Sequence, residues 1–312
     1  MKKKLINTAR VEGYIYESTL ELKTSGPNSK TPGTEFISGE LKVATDNAVT
    51  NIIPIHFTYV TATTSTGKAN ATFATLKRII DKEVGTVMTG GIESAGMVKI
   101  DTAIGLNEFY TDRNGKEELV SAKRYEGGFV HLVSALNEDE KARNEFECDI
   151  VITGFIRKEA DVEKGYPEKG IIKGAIFDFR NSLMPVEFSV LNPIAMDYFE
   201  SIDASVSAPV FTKLKGRQIS EVVIKRIEEQ SAFGEPSVRE VKNTRKDYVI
   251  HWAASEPYEW DTEETMTVAE LNEAITNRNT HLATIKQRQD EYKASQGAAP
   301  KAATPAAGAF IF

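Results

Sequence analysis

Thiol chemistry is nearly absent from this chain. Cys148 is the single cysteine in 312 residues, so an intramolecular disulfide and a cysteine-rich zinc site are both excluded. Histidine is scarce as well. His56, His131, His251 and His281 lie far apart with no paired ligand spacing, which reads as strand and surface histidines rather than a metal centre. Positive charge is not in excess: 38 Lys and Arg face 45 Asp and Glu, for a net charge of -7. That balance argues against a general coat for duplex DNA or anionic membrane, while leaving room for a local basic groove. No apolar run approaches the roughly 20 residues of a membrane-spanning helix. The basic start, Met1 to Lys4, has no long apolar segment behind it and is not a secretory signal. The compartment these exclusions leave is cytoplasm, that of an infected host included.

Catalytic motifs are missing too. Thr64 to Ala69 resembles a phosphate loop but has Ala62 where the first glycine belongs, and Ala69 cannot bind magnesium. Gly90, Gly91 and Gly96 lack the strand–turn–helix setting of a dinucleotide fingerprint. Carboxylates are plentiful, yet no pair stands out as acid and base. Neither an enzyme nor a cofactor is expected.

What the sequence does contain is alternation. The hydrophobic fraction of 41% and charged fraction of 27% are those of a globular protein, and the length suggests two domains. From Ala9 to Leu22, Val11, Gly13 and Ile15 alternate with Glu12, Tyr14 and Tyr16, a half-buried strand. Strands at Phe36–Val43 and Ile52–Val60 follow. Phe73, Leu76 and Ile80 then recur at helical spacing, with Ile79 beside them, before strands resume at Met97–Tyr110 and Leu119–Val133 around an Asn114-Gly115 turn. The same order returns. Arg10–Tyr16 can be laid on Val151–Arg157, Ile37–Leu41 on Ile172–Ile176 and Pro54–Tyr59 on Pro185–Val190, at offsets shrinking from 141 to 131. A helix with Ile194, Tyr198 and Ile202 on one face and strands at Val210–Leu214, Ile219–Ile227 and Tyr248–Trp252 complete the second copy.

The expected organisation is therefore mainly β: two tandem five-stranded barrels over 1–146 and 147–254, then an acidic linker over 255–266. A helix over 267–295 opens on a capping box, Thr267 to Glu270, and carries a heptad-like seam of Val268, Leu271, Ile275, Leu282 and Ile285 interrupted by Arg278. The last stretch, 296–312, is a low-complexity Ala/Pro/Gly tail with an apolar tip, Phe310, Ile311 and Phe312. The final 58 residues hold 9 acidic and 5 basic groups, so -4 of the total -7 belongs there and the β body is nearly neutral. Cys148 reads as a small buried hydrophobe.

Aromatic residues fall on strands with basic neighbours. If Val11 and Ile15 face inward, Tyr14 and Tyr16 face outward, and outward rings with Lys and Arg nearby suit unstacked bases and their phosphates. The candidate contacts are Tyr14, Tyr16, Lys42, Tyr59, Lys99, Tyr110, Lys123, Arg124 and Tyr125 in the first copy and Lys213, Lys215 and Arg217 in the second. Phe57, Phe109 and Phe129 read as core. Two further basic clusters, Lys225 with Arg226 and Arg239 to Lys246, extend the second copy's charge.

Three strands, a helix and two closing strands is the OB-fold order. Two copies, with a tail ending in an aromatic tip, resemble the single-stranded DNA-binding proteins of bacteriophage and bacterial replication. The resemblance covers residues 6–254 by architecture. It implies non-catalytic binding of single-stranded DNA in replication, recombination or repair, and replication or recombination proteins as partners of the tip. Phe312 matches the terminal aromatic of the bacterial members, whereas the Ala/Pro-rich tail with Lys301 differs from their acidic one. Homo-oligomerisation is compatible with the seam of the C-terminal helix. A phage virion or assembly structural protein that oligomerises through its β-domains and the heptad helix, or a mediator that loads a recombination partner, are the alternative readings.

Overall fold

Alternation along the first strand sets the first barrel. β1 (Asn7–Ser18) turns Val11 and Ile15 fully inward and leaves Tyr14 and Tyr16 partly exposed on the other side. The chain returns through a short β2 (Glu21–Thr24) to β3 (Glu35–Ala44), which pairs with β1 and with β4 (Ile52–Thr61). β1 and β3 run so close that a Cβ at Gly13 would meet the Ala44 carbonyl oxygen. Helix α1 (Ala71–Ile80), capped by the Asn70 side chain, buries Leu76 and Ile79 against the barrel. A single turn, α2 (Val87–Gly90), leads to β5 (Met97–Arg113) and β6 (Lys116–Val133). Parallel pairing of β4 with β6 closes the ring, whose order is β1-β3-β4-β6-β5 and back to β1. This is the OB-fold. The computed structural model describes residues 5–27, 29–113, 116–160, 167–229, 237–262 and 265–297, with backbone alone at 113, 221–229, 237–245 and 295–297.

The second copy repeats the ring with β7 (Asn144–Lys158), β8 (Lys169–Phe177), β9 (Leu183–Val190), α3 (Pro193–Ser201), β10 (Val210–Glu229) and β11 (Ser237–Ala253). Here parallel β9–β11 pairing closes it. The buried face of α3 is Met196 and Phe199; Ile194, expected on that face, points to solvent. The two rings fuse through their first strands. β1 and β7 pair antiparallel from Asn7↔Cys148 to Val11↔Asn144, which joins everything into one 11-stranded sheet.

The ladder centres on Ala9↔Phe146, and the two barrels relate by an approximate twofold there. Bulges after Ile15 in β1 and after Ile152 in β7 set the true alignment: Ile152 lies on Ile15. Laying Ile152 on Val11, as the glycine match suggests, slips the first strand by four residues and equates buried Ile15 with exposed Ile156. Asn7 and Asn144 are equivalent by the corrected register. Asn7 donates to the carbonyls of Ile104 (2.9 Å) and Phe177 (3.0 Å) and accepts from Ile104 N–H (3.1 Å). Asn144 donates to the carbonyl of Gln218 (2.5 Å), which also accepts from Asn51 (3.4 Å).

Apolar burial continues across the join. Tyr125 and Tyr248, one from each closing strand, meet edge-on at 5.7 Å, with Phe146 and Phe188 beside Tyr248. The acidic linker is held down: Tyr258 donates its N–H to the Phe211 carbonyl (2.7 Å) and its hydroxyl to Asp149 (3.1 Å), and Trp260 packs on Phe211. Helix α4 (Val268–Gly297) starts on the expected capping box, with Glu270 N–H donating to Thr267 Oγ1 at 3.1 Å. It docks on the body rather than presenting a free seam. Val268 and Ile275 are exposed, while Ala274 and Arg278 are buried and Arg278 makes a two-pronged ion pair with Glu108 of β5. Further along, the Gln289 amide pairs with both backbone groups of Tyr110, as a neighbouring strand would. Arg278, which interrupts the apolar seam in sequence, is the centre of the docked face. No helix among the described residues is long and apolar enough to cross a membrane.

Candidate nucleic-acid interface

Strands β3 and β4 of the first barrel present one candidate surface. Near their open end Tyr59 is 48% exposed and lies 4.5 Å from Phe36, ring to ring, with its hydroxyl 3.0 Å from that of Thr31. Along the same strands an open hollow of about 550 Å³ is lined by Glu40, His56, Thr58 and Arg124. Its cations are already matched. Lys42 donates to Glu17 (2.6 Å), Arg124 to Glu126 (2.7 Å), and His56 faces Glu40 at 3.1 Å. The Glu17 hydrogen bond lifts the Lys42 ammonium above the usual lysine range, and Tyr16 lies within electrostatic reach of it. Burial lowers the His56 pKa, and Arg124 adds to that against the pull of Glu40, so the imidazole is neutral near pH 7. An incoming phosphate must therefore replace a carboxylate at each cation, an exchange of partners rather than capture by a bare charge.

A second surface is the outer face of the sheet that crosses both barrels. Lys99 stands between Glu12 and His131 in the ladder, and Phe129, 69% exposed, stands opposite Asp101. Across the join, Lys213 and Lys215 share Glu147 (3.1 and 3.5 Å), and the Lys215 ammonium lies 5.5 Å from the centre of the Trp252 ring. Arg217 sits further along β10, partly buried and opposite Val249.

Several expected contacts are corrected. Tyr125 is fully buried against Tyr248, and burial drives its phenol pKa well up, so its ring serves the join between barrels and not a ligand. Lys123 points the same way: its ammonium lies 5.1 Å from the ring centres of Phe188 and Tyr248 and donates to the Glu187 carbonyl. Desolvation lowers its pKa to about 8, which does not suit a phosphate contact. Tyr110 lies under α4, with Lys286 over its ring at 5.5 Å. Phe109 and Phe129, expected in the core, are exposed. Gly127 and Gly128, both at positive φ, bulge β6 and reverse its phase, so Tyr125 and Val130 face inward and Phe129 outward. Phe109 lies on the part of β5 that runs beyond the barrel, where no interior exists for it. Phe57 is core as expected.

Tyr16, Lys42, Tyr59 and Arg124 thus share one surface, and Lys99, Lys213 and Lys215 another. Tyr14 projects beside Ala44 and Met97 between them. Phe36, the partner of Tyr59, was not among the expected contacts, although its place opposite Thr61 follows once β3 and β4 pair. The side chains of Lys225, Arg226, Arg239, Lys242 and Arg245, the Asn114-Gly115 turn and the tip Phe310–Phe312 lie outside the described residues. Among the described residues no group of three His, Cys, Asp or Glu is placed to hold a metal ion.

A sequence model of the YorF family matches residues 5–288. No curated protein matches the chain. Two solved structures from Thermus aquaticus resemble it in shape: a wild-type single-stranded DNA binding protein (TM-score 0.43, 6% identity, 80% of this chain and 93% of that one) and a deletion and point variant of that protein (TM-score 0.44, 7% identity, 84% and 99%).

Proposed function

The chain belongs to the YorF family, and we propose that it binds single-stranded DNA without catalysis, in the service of replication, recombination or repair. The observation that carries this reading is the Phe36–Tyr59 ring pair on β3 and β4 of an OB barrel, Tyr59 exposed and Phe36 half-buried, with Lys42 on β3 and Arg124 on the neighbouring β6. Stacking rings beside phosphate-seeking cations is what a single strand requires, and it tolerates any base sequence. Tyr14 and Tyr16 extend the stacking surface, and Lys99, Lys213, Lys215 and Arg217 carry the strand's phosphates across the sheet to the second barrel. The apolar tip, Phe310 to Phe312, is assigned to a protein partner of the same process. Assembly through a free α4 seam is disfavoured, because α4 is docked on its own body.

Titration of the full chain with fluorescently labelled oligo-dT at two salt concentrations tests the reading. Binding that weakens as salt rises is expected. Tyr59→Ala is expected to weaken it by about 1–3 kcal/mol, the range for one lost base stack. Absence of binding at low salt would refute the proposal.

A further inference from the structure

The twofold relation makes the two barrels controls for each other, and one pair of equivalent turns differs in a way the fold does not demand. Between β3 and β4, the Asp46 carboxylate accepts the N–H groups of Thr50 (3.0 Å) and Asn51 (2.9 Å), with Val49 at φ 57°. Between β8 and β9, the Asp178 carboxylate accepts those of Arg180 (2.8 Å) and Ser182 (2.7 Å), with Asn181 at φ 58°. In both turns the left-handed residue lies three positions after the aspartate and the N–H four positions after it is capped, while the other capped N–H lies five positions on in the first turn and two in the second. In the first turn the residue after the aspartate is Asn47, which is tied into the fold: its side chain accepts from Arg143 (2.8 Å) and its N–H donates to Glu140 (3.0 Å). In the second turn that place holds Phe179, 79% exposed, and the next holds Arg180, whose guanidinium lies 4.9 Å from the ring centre. A rigid turn therefore displays a bare aromatic face with a cation behind it.

This turn borders a cavity of about 670 Å³ between the barrels, under α4. That volume is within the range of small-ligand sites. Its carboxylates are already committed: Glu108 to Arg278, Glu126 to Arg124 and Thr58, Asp178 to its own turn. The charged and titratable side chains left facing the space are Arg180 and His281. Of these, the Arg180 guanidinium can take a phosphate oxygen, and the Phe179 ring beside it suits a flat apolar group joined to that phosphate.

We propose that Phe179 and Arg180 form a nucleotide subsite at the barrel junction, in which one base of a single strand stacks on the free face of Phe179 while its phosphate meets Arg180. This rests on the single-strand binding proposed above and adds a contact away from the strand-borne rings. It also gives the second barrel a stacking residue on a turn, where its β8 and β9 strands show no exposed ring among the described residues.

The test uses the full chain and labelled oligo-dT. Phe179→Ala is expected to weaken binding roughly 5- to 150-fold, the span of one base stack. Phe179→Trp is expected to bind within about 3-fold of the parent, since an indole stacks as well, and its added emission is quenched by the DNA. Arg180→Ala is expected to reduce the salt dependence by about one phosphate contact. Because both residues are at the surface, unchanged melting temperatures are expected. If the parent binds and Phe179→Ala binds equally well, or the new tryptophan does not respond, the subsite is refuted while the general reading stands. If Phe179→Ala instead dissociates a DNA-free oligomer, the ring is covered by a second copy and the subsite is likewise refuted. If the parent itself does not bind, both readings fall.

Discussion

The two ends of the β1–β7 ladder perform the same task with different material. At one end the connection between the barrels closes the junction: buried Arg143 donates to the Asn137 carbonyl (2.5 Å) and Asn47 (2.8 Å), while Asn51 and Asn144 converge on Gln218. All those acceptors are neutral. At the other end the chain has no such connection to hand, and the junction is covered by α4 through the Arg278–Glu108 pair, made between residues 170 apart in sequence. Local chain gives a filled, permanent closure. A distant helix leaves a cavity beneath it. The strand order repeats in the two barrels, whereas the elements that fill the two junctions differ.

Breaking each closure separately measures that difference. Arg278→Met leaves the Glu108 carboxylate buried without its partner and is expected to cost about 3–5 kcal/mol in urea unfolding or in the protease resistance of α4. Arg143→Met strands only neutral acceptors and is expected to cost about 1–3 kcal/mol. Equal costs would erase the distinction. The helical closure also depends on pH. Burial alone would raise the Glu108 pKa, but the hydrogen bonds from Arg278 override it and the folded value lies below the ordinary 4.5. The pair therefore contributes fully above about pH 4.5, and its contribution is lost as pH falls through the folded value. The deficit of Arg278→Met should shrink in acid.

The equivalent asparagines give a smaller contrast. Asn7→Ala removes three hydrogen bonds and is expected to cost about 2–3 kcal/mol, against about 1 kcal/mol for Asn144→Ala, whose side-chain oxygen already lacks a protein partner. Reversed costs would mean that the twofold equivalence does not extend to energetics. An effect of the opposite sign is expected at Lys123, which the first barrel sends against the rings of the second. Its folded pKa of about 8 lies below the unfolded 10.5, so burying the charge penalises the fold below pH 8, and the penalty fades between about pH 8 and 10.5. Lys123→Met is expected to stabilise by about 1–2 kcal/mol at pH 7, with the gain shrinking above about pH 8 and lost above about pH 10.5. A gain independent of pH would assign it to packing instead.

Strand order was legible from alternation, because period-two burial leaves its mark on every strand of a closed barrel. Which outward face meets solvent was not. Tyr125 lies where a single barrel would end, but a second barrel covers it, and one strand's pattern carries no record of its neighbour across a twofold. Bulges hid more. The extra residue after Ile15 and the Gly127–Gly128 pair each shift phase, so the repeat register and the direction of Phe129 both escaped alternation. Phe179 did leave a signal, an aromatic between Asp178 and Arg180-Asn181 in an otherwise polar turn. It lies on a turn, outside the strand alternation that marks the other rings.

The β1–β7 ladder has a consequence for synthesis. Every strand of the first barrel has been made once residue 133 has emerged, yet the start of β1 keeps a bare hydrogen-bonding edge until Asn144–Cys148 follows. On the ribosome the nascent barrel is thus briefly a closed ring with one bare strand edge, able to pair with a neighbouring chain's β1 or β7 in place of its own β7. The ten residues between β6 and β7 keep that interval short, which makes the length of this connection as much a safeguard against chain exchange as a structural link.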